Sequence, residues 1–440
     1  MLEKIKEAIV KIDELSKTKK LKVVSHFDTD GITSAAIFSR VLCRWGKRFS
    51  LEIVKGLDEN YIKSLGEENV LIFLDLASGS LNYLKDKKTE IFIFDHHELE
   101  EGTNIPQNVF MVNSVLETSE KLSSAAICYL FARELASENK DLANLAVIGM
   151  VGDLHEKNIG RFFSEILKDS ESIIKKGLLI YPSTRPLDKV LEYCSNPYIP
   201  GVTGSRTGVV SLLRDSGIPI INGKYKALYE LDEEEMKNLI TSIILRCRRE
   251  INQEKLVGNL FLVKFLNKSE DARELSALIN ACSRMGYSEV ALGFCLGNRK
   301  FRMDAESIYI DYKQSLISAL RYVSESDKLE GENYLIINGR DKIKDTIIGT
   351  VASILSHSPL YREGRVIVAL AYNQDKIKVS ARIAGREGRN VREILSKAIV
   401  SVGGEVGGHP QAAGCLISRA QENEFIEELK KVLELELIKV

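Results

Sequence analysis

The strongest constraint on the fold of this chain is a set of short, nearly continuous apolar runs near its start that stop on carboxylates and imidazoles. Leu21-Lys-Val-Val-Ser25 runs into His26-Phe-Asp28-Thr-Asp30-Gly31, Asn69 to Leu74 stops at Asp75, and Glu90 to Phe94 stops at Asp95-His96-His97. Leu51 to Val54 and Val109 to Val112 are two further runs of this kind, and Ile32 to Trp45 between the first two carries apolar residues at helical spacing. Apolar strands separated by helical segments predict a parallel sheet covered on both faces, hence an α/β fold. In such sheets functional groups collect where the loops converge, at the carboxyl ends of the strands. Each of these polar clusters sits there.

Further along, Ser123 to Ala136 and Leu142 to Val151 read as helices, the second leading into Gly152-Asp153-Leu154-His155-Glu156. From Ser164 to Glu250 the pattern is helical but less regular, with Pro182, Pro186, Pro197 and Pro200 interrupting it. Tyr181 to Pro200 is expected as a boundary and Leu231 to Glu250 as a connecting helix. A second alternation follows: strand Leu260 to Val263, helix Ala272 to Met285, strand Val290 to Phe294 and a long helix near Ala305 to Tyr322. Strand Tyr334 to Ile337, helix Asp345 to His357, strands Val366 to Ala371 and Ile377 to Ala381, and helix Val391 to Val402 come next. A glycine-rich segment, Gly403 to Gly414, precedes a charged helix from Gln421. At 440 residues the chain exceeds what one core usually serves, so two domains are expected.

Histidine is scarce, six in all, and five of them (His26, His96, His97, His155, His409) lie close to an Asp or a Gly-Gly pair, while His357 stands alone. The net charge of −1 means that a polyanion would have to be met by a local basic patch. Seven scattered cysteines without a C-x-x-C pair point to a reducing, cytoplasmic setting. Met1 to Lys20 is charged at helical spacing, which argues against a secretory signal, and no stretch has the length of a membrane span.

Asp28, Asp30, Asp75, Asp95 and Asp153, together with His26, His96, His97 and His155, are too many carboxylates to ionise side by side without cations. Mixed oxygen and nitrogen donors suit Mn²⁺, Fe²⁺, Co²⁺ or Zn²⁺, with Mn²⁺ favoured where oxygen predominates. Two carboxylates at Asp28-x-Asp30 spacing can reach two different ions while a third from another strand bridges them. That predicts a two-metal hydrolytic site, in which one ion acidifies a water and the pair clamps a phosphoryl oxygen. Taken singly, Asp-x-Asp-Gly reads as a solvated turn, Asp75 or Asp153 as a helix cap, and His-His as packing plus one exposed ring. Their joint occurrence at strand ends is what these readings explain poorly.

His26-x-Asp28-x-Asp30-Gly31, Asp75, Asp95-His96-His97 and Gly152-Asp153 resemble the four motifs of the DHH phosphoesterase superfamily. Gly407-Gly408-His409 with Ala412-Ala413-Gly414 is similar to the glycine-rich phosphate-binding motif of the accompanying DHHA1 domain, although Val406 stands where a third glycine is often found. Length and motif order are most similar to archaeal RecJ-like nucleases, and the middle of the chain, residues 160–330, carries little of the signal. The resemblance implies an N-terminal parallel-sheet DHH domain, a C-terminal α/β DHHA1-type domain and a cleft between them. It divides the chain into a catalytic domain (1–190), a helical linker (191–255) and a substrate-binding region (256–440) with the DHHA1-like part at 330–440. It implies one metal on His26, Asp28 and Asp75, and a second on Asp30, Asp75, His96 and Asp153, with Asp75 bridging. His97 would face the scissile phosphate, and Asp95 would orient a neighbouring histidine. His155 receives no family role and reads as a surface or supporting residue.

In the C-terminal region Gly407 and Gly408 allow close approach of an anion to backbone N–H groups, and His409 adds a donor. Ser380 and Arg382 alternate on an expected strand and are the better phosphate contacts, while Arg386, Arg389 and Arg392 read equally well as a solvated basic stretch. Arg273 and Arg284 flank an amphipathic helix containing Asn280 and read as bordering the cleft or, more ordinarily, as a solvated face. The expected activity is metal-dependent exonuclease action on single-stranded nucleic acid in repair or replication, DNA before RNA and 5′→3′ before 3′→5′. Two divalent ions, Mn²⁺ before Mg²⁺, are the expected cofactors, and a helicase or replisome protein is a candidate partner. The rivals are a phosphodiesterase of short oligonucleotides or cyclic dinucleotides, and a non-catalytic replication or repair scaffold.

Overall fold

The computed structural model describes all residues except 100, 101, 158, 195–198, 248–255, 359, 386, 405 and 436–440. Arg386, Pro197 and the end of the expected connecting helix lie outside the described residues. The chain divides into two compact units, Met1–Glu306 and Ser307–Val440.

In the first unit β1 (Lys20–His26), β2 (Phe49–Val54), β3 (Asn69–Leu74), β4 (Ile91–Asp95) and β5 (Val109–Asn113) form a parallel sheet in the order β2-β1-β3-β4-β5. The chain passes from β1 to one side and then returns to the other, so the order reverses between β1 and β3. At such a switch point the loops diverge and leave a crevice at the carboxyl ends. Every residue of β4 is buried, which is why its sequence is a run and not an alternation. On one face Phe38 of the helix Thr29–Arg44 packs on Phe94 and on Phe131 of the helix Ser124–Leu135, at ring-centre distances of 5.3 and 5.1 Å. Ile62, Leu65, Phe73, Leu81, Leu84 and Ile93 fill a separate core cluster of this unit.

The helix Ala143–Gly152 is buried along nearly its whole length, which its uniformly apolar sequence anticipates. It lies so close to its neighbours that a Cβ on Gly149 would stand 2.5 Å from Ala125 Cβ and 2.7 Å from Asp30 Oδ1. Gly31 is tighter still, since a Cβ there would meet the His26 carbonyl oxygen at 2.2 Å. The tight turn from β1 into its helix is thus open only to glycine.

After this sheet come β6 (Ile173–Leu178), the small hairpin β7 (Ile220–Ile221) and β8 (Lys224–Tyr225), then β9 (Val257–Phe265) and β10 (Lys268–Asp271). Strands β10, β9 and β6 make an antiparallel sheet. Two expectations need correction. Val290 to Phe294 is not a strand but part of the helix Ser288–Cys295; five buried apolar residues look alike in either state. Strand β6 lies inside the stretch read as helical, because Lys175 and Lys176 break the apolar pattern of a mostly exposed strand. The helix Ala272–Arg284 packs back on the first sheet's layer, where Thr29 Oγ1 donates to the Ser276 carbonyl at 2.9 Å.

The second unit holds β11 (Leu329–Glu330), β12 (Tyr334–Asn338), β13 (Val366–Asn373), β14 (Lys376–Ile383), β15 (Val406–His409) and β16 (Ala412–Ser418) in the order β11-β12-β13-β14-β16-β15. Only β12 and β13 run parallel. The helices Val391–Ala398 and Glu422–Leu435 cover one face through Leu395, Phe425 and Leu429, and the helix Asp345–Ser356 packs on β13 and β14. No helix among the described residues is long and apolar enough to cross a membrane, and Cys43, Cys128, Cys282, Cys295 and Cys415 are in no disulfide.

Gly149→Ala should destabilise the fold by about 1–3 kcal/mol through overpacking, read as a lower thermal midpoint. A midpoint equal to that of the parent would contradict the close approach of this helix to Asp30.

Candidate functional site

Asp28 caps the helix that follows β1, accepting from the Gly31 N–H at 3.1 Å. Asp30, fully buried in the first turn, caps a second helix instead: its Oδ2 accepts from Ser124 N–H at 2.6 Å and its Oδ1 from Ala125 N–H at 3.0 Å. Two backbone donors at a helix N-terminus are what hold a buried carboxylate there. Asp75 follows β3 with φ +59°, a left-handed conformation that a non-glycine residue adopts at a cost. That turn points its carboxylate into the middle of the group.

The two Asp75 oxygens face different partners. Oδ2 lies 3.3 Å from His26 Nδ1, which is itself 3.1 Å from Asp28 Oδ2. Oδ1 lies 3.3 Å from His96 Nε2 and accepts from Ser124 Oγ at 3.1 Å. His96 Nε2 is also 3.0 Å from Asp153 Oδ2 and 3.8 Å from Asp30 Oδ2. One ring nitrogen has at most one proton and cannot bond three carboxylates. Donors bound at roughly 2.1 Å to one ion stand about 3 Å from one another, and this is the spacing found. All six expected metal-site residues, His26, Asp28, Asp30, Asp75, His96 and Asp153, therefore converge. Asp153 Oδ2 is buried and, despite its nearness to His96, has no aligned hydrogen-bond donor among the described residues. An orphaned buried carboxylate oxygen fits a cation, so the donor set suits the divalent ions that the resemblance implies.

Asp95 stands apart from that ring of donors. Its Oδ1 accepts from His97 Nδ1 at 2.6 Å and from the His96 N–H at 2.8 Å, and its Oδ2 accepts from the Ser78 N–H at 3.1 Å. It orients His97, not His96. Because the carboxylate only accepts, Nδ1 carries the proton, and Nε2 of the half-exposed His97 is left for another partner. Asn113, at the end of β5, ties the same corner together by donating to Ser78 Oγ at 3.1 Å and to the His97 carbonyl at 2.9 Å.

The crowding shows in the titration of these groups. Burial opposes charge on His26 and His96, yet Asp28 and Asp75 raise the first to about 10, and Asp153 and Asp75 raise the second to about 12. Burial first, with Asp153 and Asp75 beside it, pushes Asp30 well above the carboxylate range, and burial with Asp28 raises Asp75. Burial also works against the charge on Asp95, but the bond from His97 outweighs it and holds the carboxyl at about 2. His97 is raised by that same bond. Burial lowers His155, aided by nearby His96.

His155 is partly buried. Its ring packs edge-on against His96 at 5.4 Å, and it belongs with His96 and Asp153 to one cluster of donor atoms. Arg273 is not on a solvated face: it is mostly buried and reaches Glu156 Oε1 at 3.0 Å. Asn280 of the same helix has a buried Oδ1 without a partner among the described residues. Sequence reasoning missed Ser124, Ser78, Asn113 and Glu156. Ser123-Ser124 before an apolar helix, and Asn113 closing a strand, are signals that could have found two of them.

In the second unit the strand register aligns the expected phosphate contacts. Ser380 pairs with Gly414, and Gly414 with Gly407; Arg382 pairs with Ala412, and Ala412 with His409. Directly opposed residues share a sheet face. Ser380, Arg382, Gly407 and His409 thus lie on one face, with only Gly414 and Ala412 between them. Gly408 lies in the same edge strand, paired with Ala413, with φ +113°. Arg382 is steadied by Ser353 Oγ at 3.0 Å and by the Ala381 carbonyl at 2.8 Å. Arg389 instead donates to the carbonyls of Leu433 and Val432 at 2.8 and 2.9 Å, satisfying the end of the last helix. Arg392 is exposed in the first turn of its helix.

Comparison with known proteins gives three matched regions: "DHH family, N-terminal domain" over residues 20–150, "DHH-CID domain" over 180–260 and "DHHA1 domain" over 331–435. An uncharacterized protein of Methanocaldococcus jannaschii is 28% identical, covering 98% of this chain and 99% of its own. Among solved structures, exonuclease RecJ bound to manganese superposes with a TM-score of 0.62 at 18% identity, covering 98% of this chain and 94% of that one. RecJ of Thermus thermophilus in complex with Mn²⁺ gives 0.60 at 18% identity, covering 97% of this chain and 54% of that one. CDC45 of Entamoeba histolytica gives 0.67 at 12% identity, covering 98% and 99%.

Metal binding must displace protons from His26 and His96, so proton release should accompany it and affinity should rise with pH through the neutral range. Titration of Mn²⁺ in buffers of different ionisation heat should show this release. Affinity and heat independent of pH and buffer would contradict it.

Proposed function

Since the chain belongs to the DHH/DHHA1 phosphoesterase superfamily and shares the RecJ fold, we propose that it is a two-metal, single-strand-specific exonuclease. The observation that carries this reading is Asp75, whose two oxygens face separate donor groups, His26 with Asp28 on one side and His96 with Asp30 and Asp153 on the other. The proposed ligands are His26, Asp28 and Asp75 for one ion and Asp30, Asp75, His96 and Asp153 for the other, with Mn²⁺ before Mg²⁺. When bound, the ions supply the Lewis acidity that activates water and neutralises charge on the phosphoryl oxygens.

The protein's own groups do the rest. His97, with Nδ1–H tied to Asp95, presents Nε2 to the phosphate or the leaving oxygen, and as the imidazolium that the Asp95 bond favours it can give up its Nε2 proton there. Asp95 holds that tautomer and keeps the ring from turning. Ser124 and the N-terminus of its helix fix Asp30 and Asp75, so the donors do not need to reorganise when cations arrive.

Ser380, Arg382, Gly407 and His409 form the proposed phosphate-binding face of the second unit, and Gly408, between the last two on the edge strand, is proposed to let the backbone approach the anion. Guanidinium, hydroxyl and imidazole beside small residues suit the flat approach of a backbone phosphate. A phosphate grip in addition to a hydrolytic centre suits a polymer with several phosphates, and DNA with 5′→3′ polarity is the first assignment. A scaffold role is the second reading, supported by the fold shared with CDC45; the full set of donors at the site favours activity.

Degradation of 5′- and 3′-labelled single-stranded DNA and RNA with Mn²⁺ or Mg²⁺ tests the assignment directly. Complete digestion of long strands supports it, whereas cleavage confined to dimers and trimers favours a short-oligonucleotide phosphodiesterase. Asp75→Asn should lower the rate by more than the roughly 10–100-fold that supporting residues contribute. Arg382→Ala should raise KM roughly tenfold or more and lower the salt dependence of binding by about one phosphate contact. Parent-like turnover in the first variant would refute the bridging role, and an unchanged KM in the second would remove Arg382 from the substrate site.

A further inference from the structure

The segment after the last metal-site motif is built in an unusual way. Asp153 ends the helix Ala143–Gly152, Leu154 takes φ +58°, and His155 then opens a short helical turn. A left-handed leucine is disfavoured, because its Cβ crowds the backbone, and this one gains little in return, since its side chain is 67% exposed. What the turn achieves is to bring the side chains on both sides of it, Asp153 and His155, to His96 together. Donor atoms of the three lie within 4.8 Å of one another. The segment is also pinned, for the next residue, Glu156, is buried and paired with Arg273 at 3.0 Å.

Two polar atoms here are buried without an aligned hydrogen bond among the described residues: Asp153 Oδ2, although it lies 3.0 Å from His96 Nε2, and His155 Nδ1. A buried ring nitrogen that bonds nothing is costly unless something else satisfies it. Carboxylate or carbonyl acceptors would normally serve an imidazole N–H, yet among the described residues none bonds His155 Nδ1. A cation is the kind of partner that both a carboxylate oxygen and an unprotonated ring nitrogen accept.

Resting on the two-metal reading above, we propose that His155 is an additional ligand of the ion held by His96 and Asp153. This ion then has two imidazole nitrogens beside the oxygens of Asp30, Asp75 and Asp153, whereas the superfamily resemblance implies one. An added ring nitrogen raises the affinity for Mn²⁺, and more so for Co²⁺ or Zn²⁺, relative to Mg²⁺, which demands oxygen donors and small octahedral geometry. His155 thereby sets which metal the second position accepts, and the strained Leu154 turn positions it.

The test is metal binding to the full-length chain, with calorimetry for Mn²⁺ and Mg²⁺ and the visible absorption of bound Co²⁺ as a reading of the donor set. In the parent, two binding events are expected. In His155→Ala one of them should weaken for Mn²⁺ by about tenfold or more, the Co²⁺ spectrum should shift, and Mg²⁺ affinity should move much less. His155→Gln, which restores volume without a ring nitrogen, should behave like the alanine variant. The proposal is overturned if both variants keep the parent isotherms and Co²⁺ spectrum. Asp75→Asn separates the two levels: if it disrupts both binding events while the His155 variants match the parent, only the role of His155 fails. If Asp75→Asn also leaves both events intact, or the parent binds no second ion, the two-metal reading fails with it.

Discussion

The structure is governed by the mutual repulsion of carboxylates gathered in a buried crevice. Asp30, Asp75 and Asp95 are almost wholly excluded from solvent, and Asp28 and Asp153 stand beside them. Charge of one sign at such density, away from water, is tolerated only where fixed positive partners meet it. The fold supplies them from several directions: helix N-termini at Asp28 and Asp30, backbone N–H groups at Asp95, and imidazoles at Asp28, Asp75, Asp95 and Asp153. The strand order β2-β1-β3-β4-β5 makes this arrangement possible, since the crevice opens between β1 and β3, where these ends meet. Close packing at Gly31 and Gly149 then keeps the helices near enough for their termini to act.

Within that field the adjacent histidines do different work. His96 points its Nε2 into the carboxylates, whereas His97 is turned away and locked through Nδ1 to Asp95. The same short motif thus divides between one ring set among the carboxylates and one held by Asp95 with its Nε2 left for another partner. Asp75 occupies the centre by accepting a left-handed backbone, a local cost that a rigid sheet can sustain at a working site.

Much of this is legible in the amino-acid sequence alone. The strand ends are marked by apolar runs cut off at Asp75 and Asp95, because a strand buried on both faces leaves no other place for a charge. The proposed phosphate face can be anticipated from Ser380 and Arg382 alternating along one strand, but not its partner strands: Ser380 pairs with Gly414, and Gly414 with Gly407, through a register that no local pattern encodes. Val290 to Phe294 misleads because a short buried run has no period to measure. Arg389 reads as part of a basic patch, yet it satisfies the last helix's carbonyls, a contact between residues more than forty positions apart. Arg273 and His155 are underrated for a similar reason: their partners, Glu156 and His96, are brought to them only by tertiary folding.

The central claim is that Asp75 bridges two cations. A crystal structure of the protein equilibrated with Mn²⁺, with anomalous scattering recorded at the manganese edge, tests it most directly. The account predicts two peaks about 3.5–4 Å apart, one beside His26 and Asp28, the other beside His96 and Asp153, with one Asp75 oxygen directed to each. A single peak, or two peaks not shared by Asp75, would contradict it.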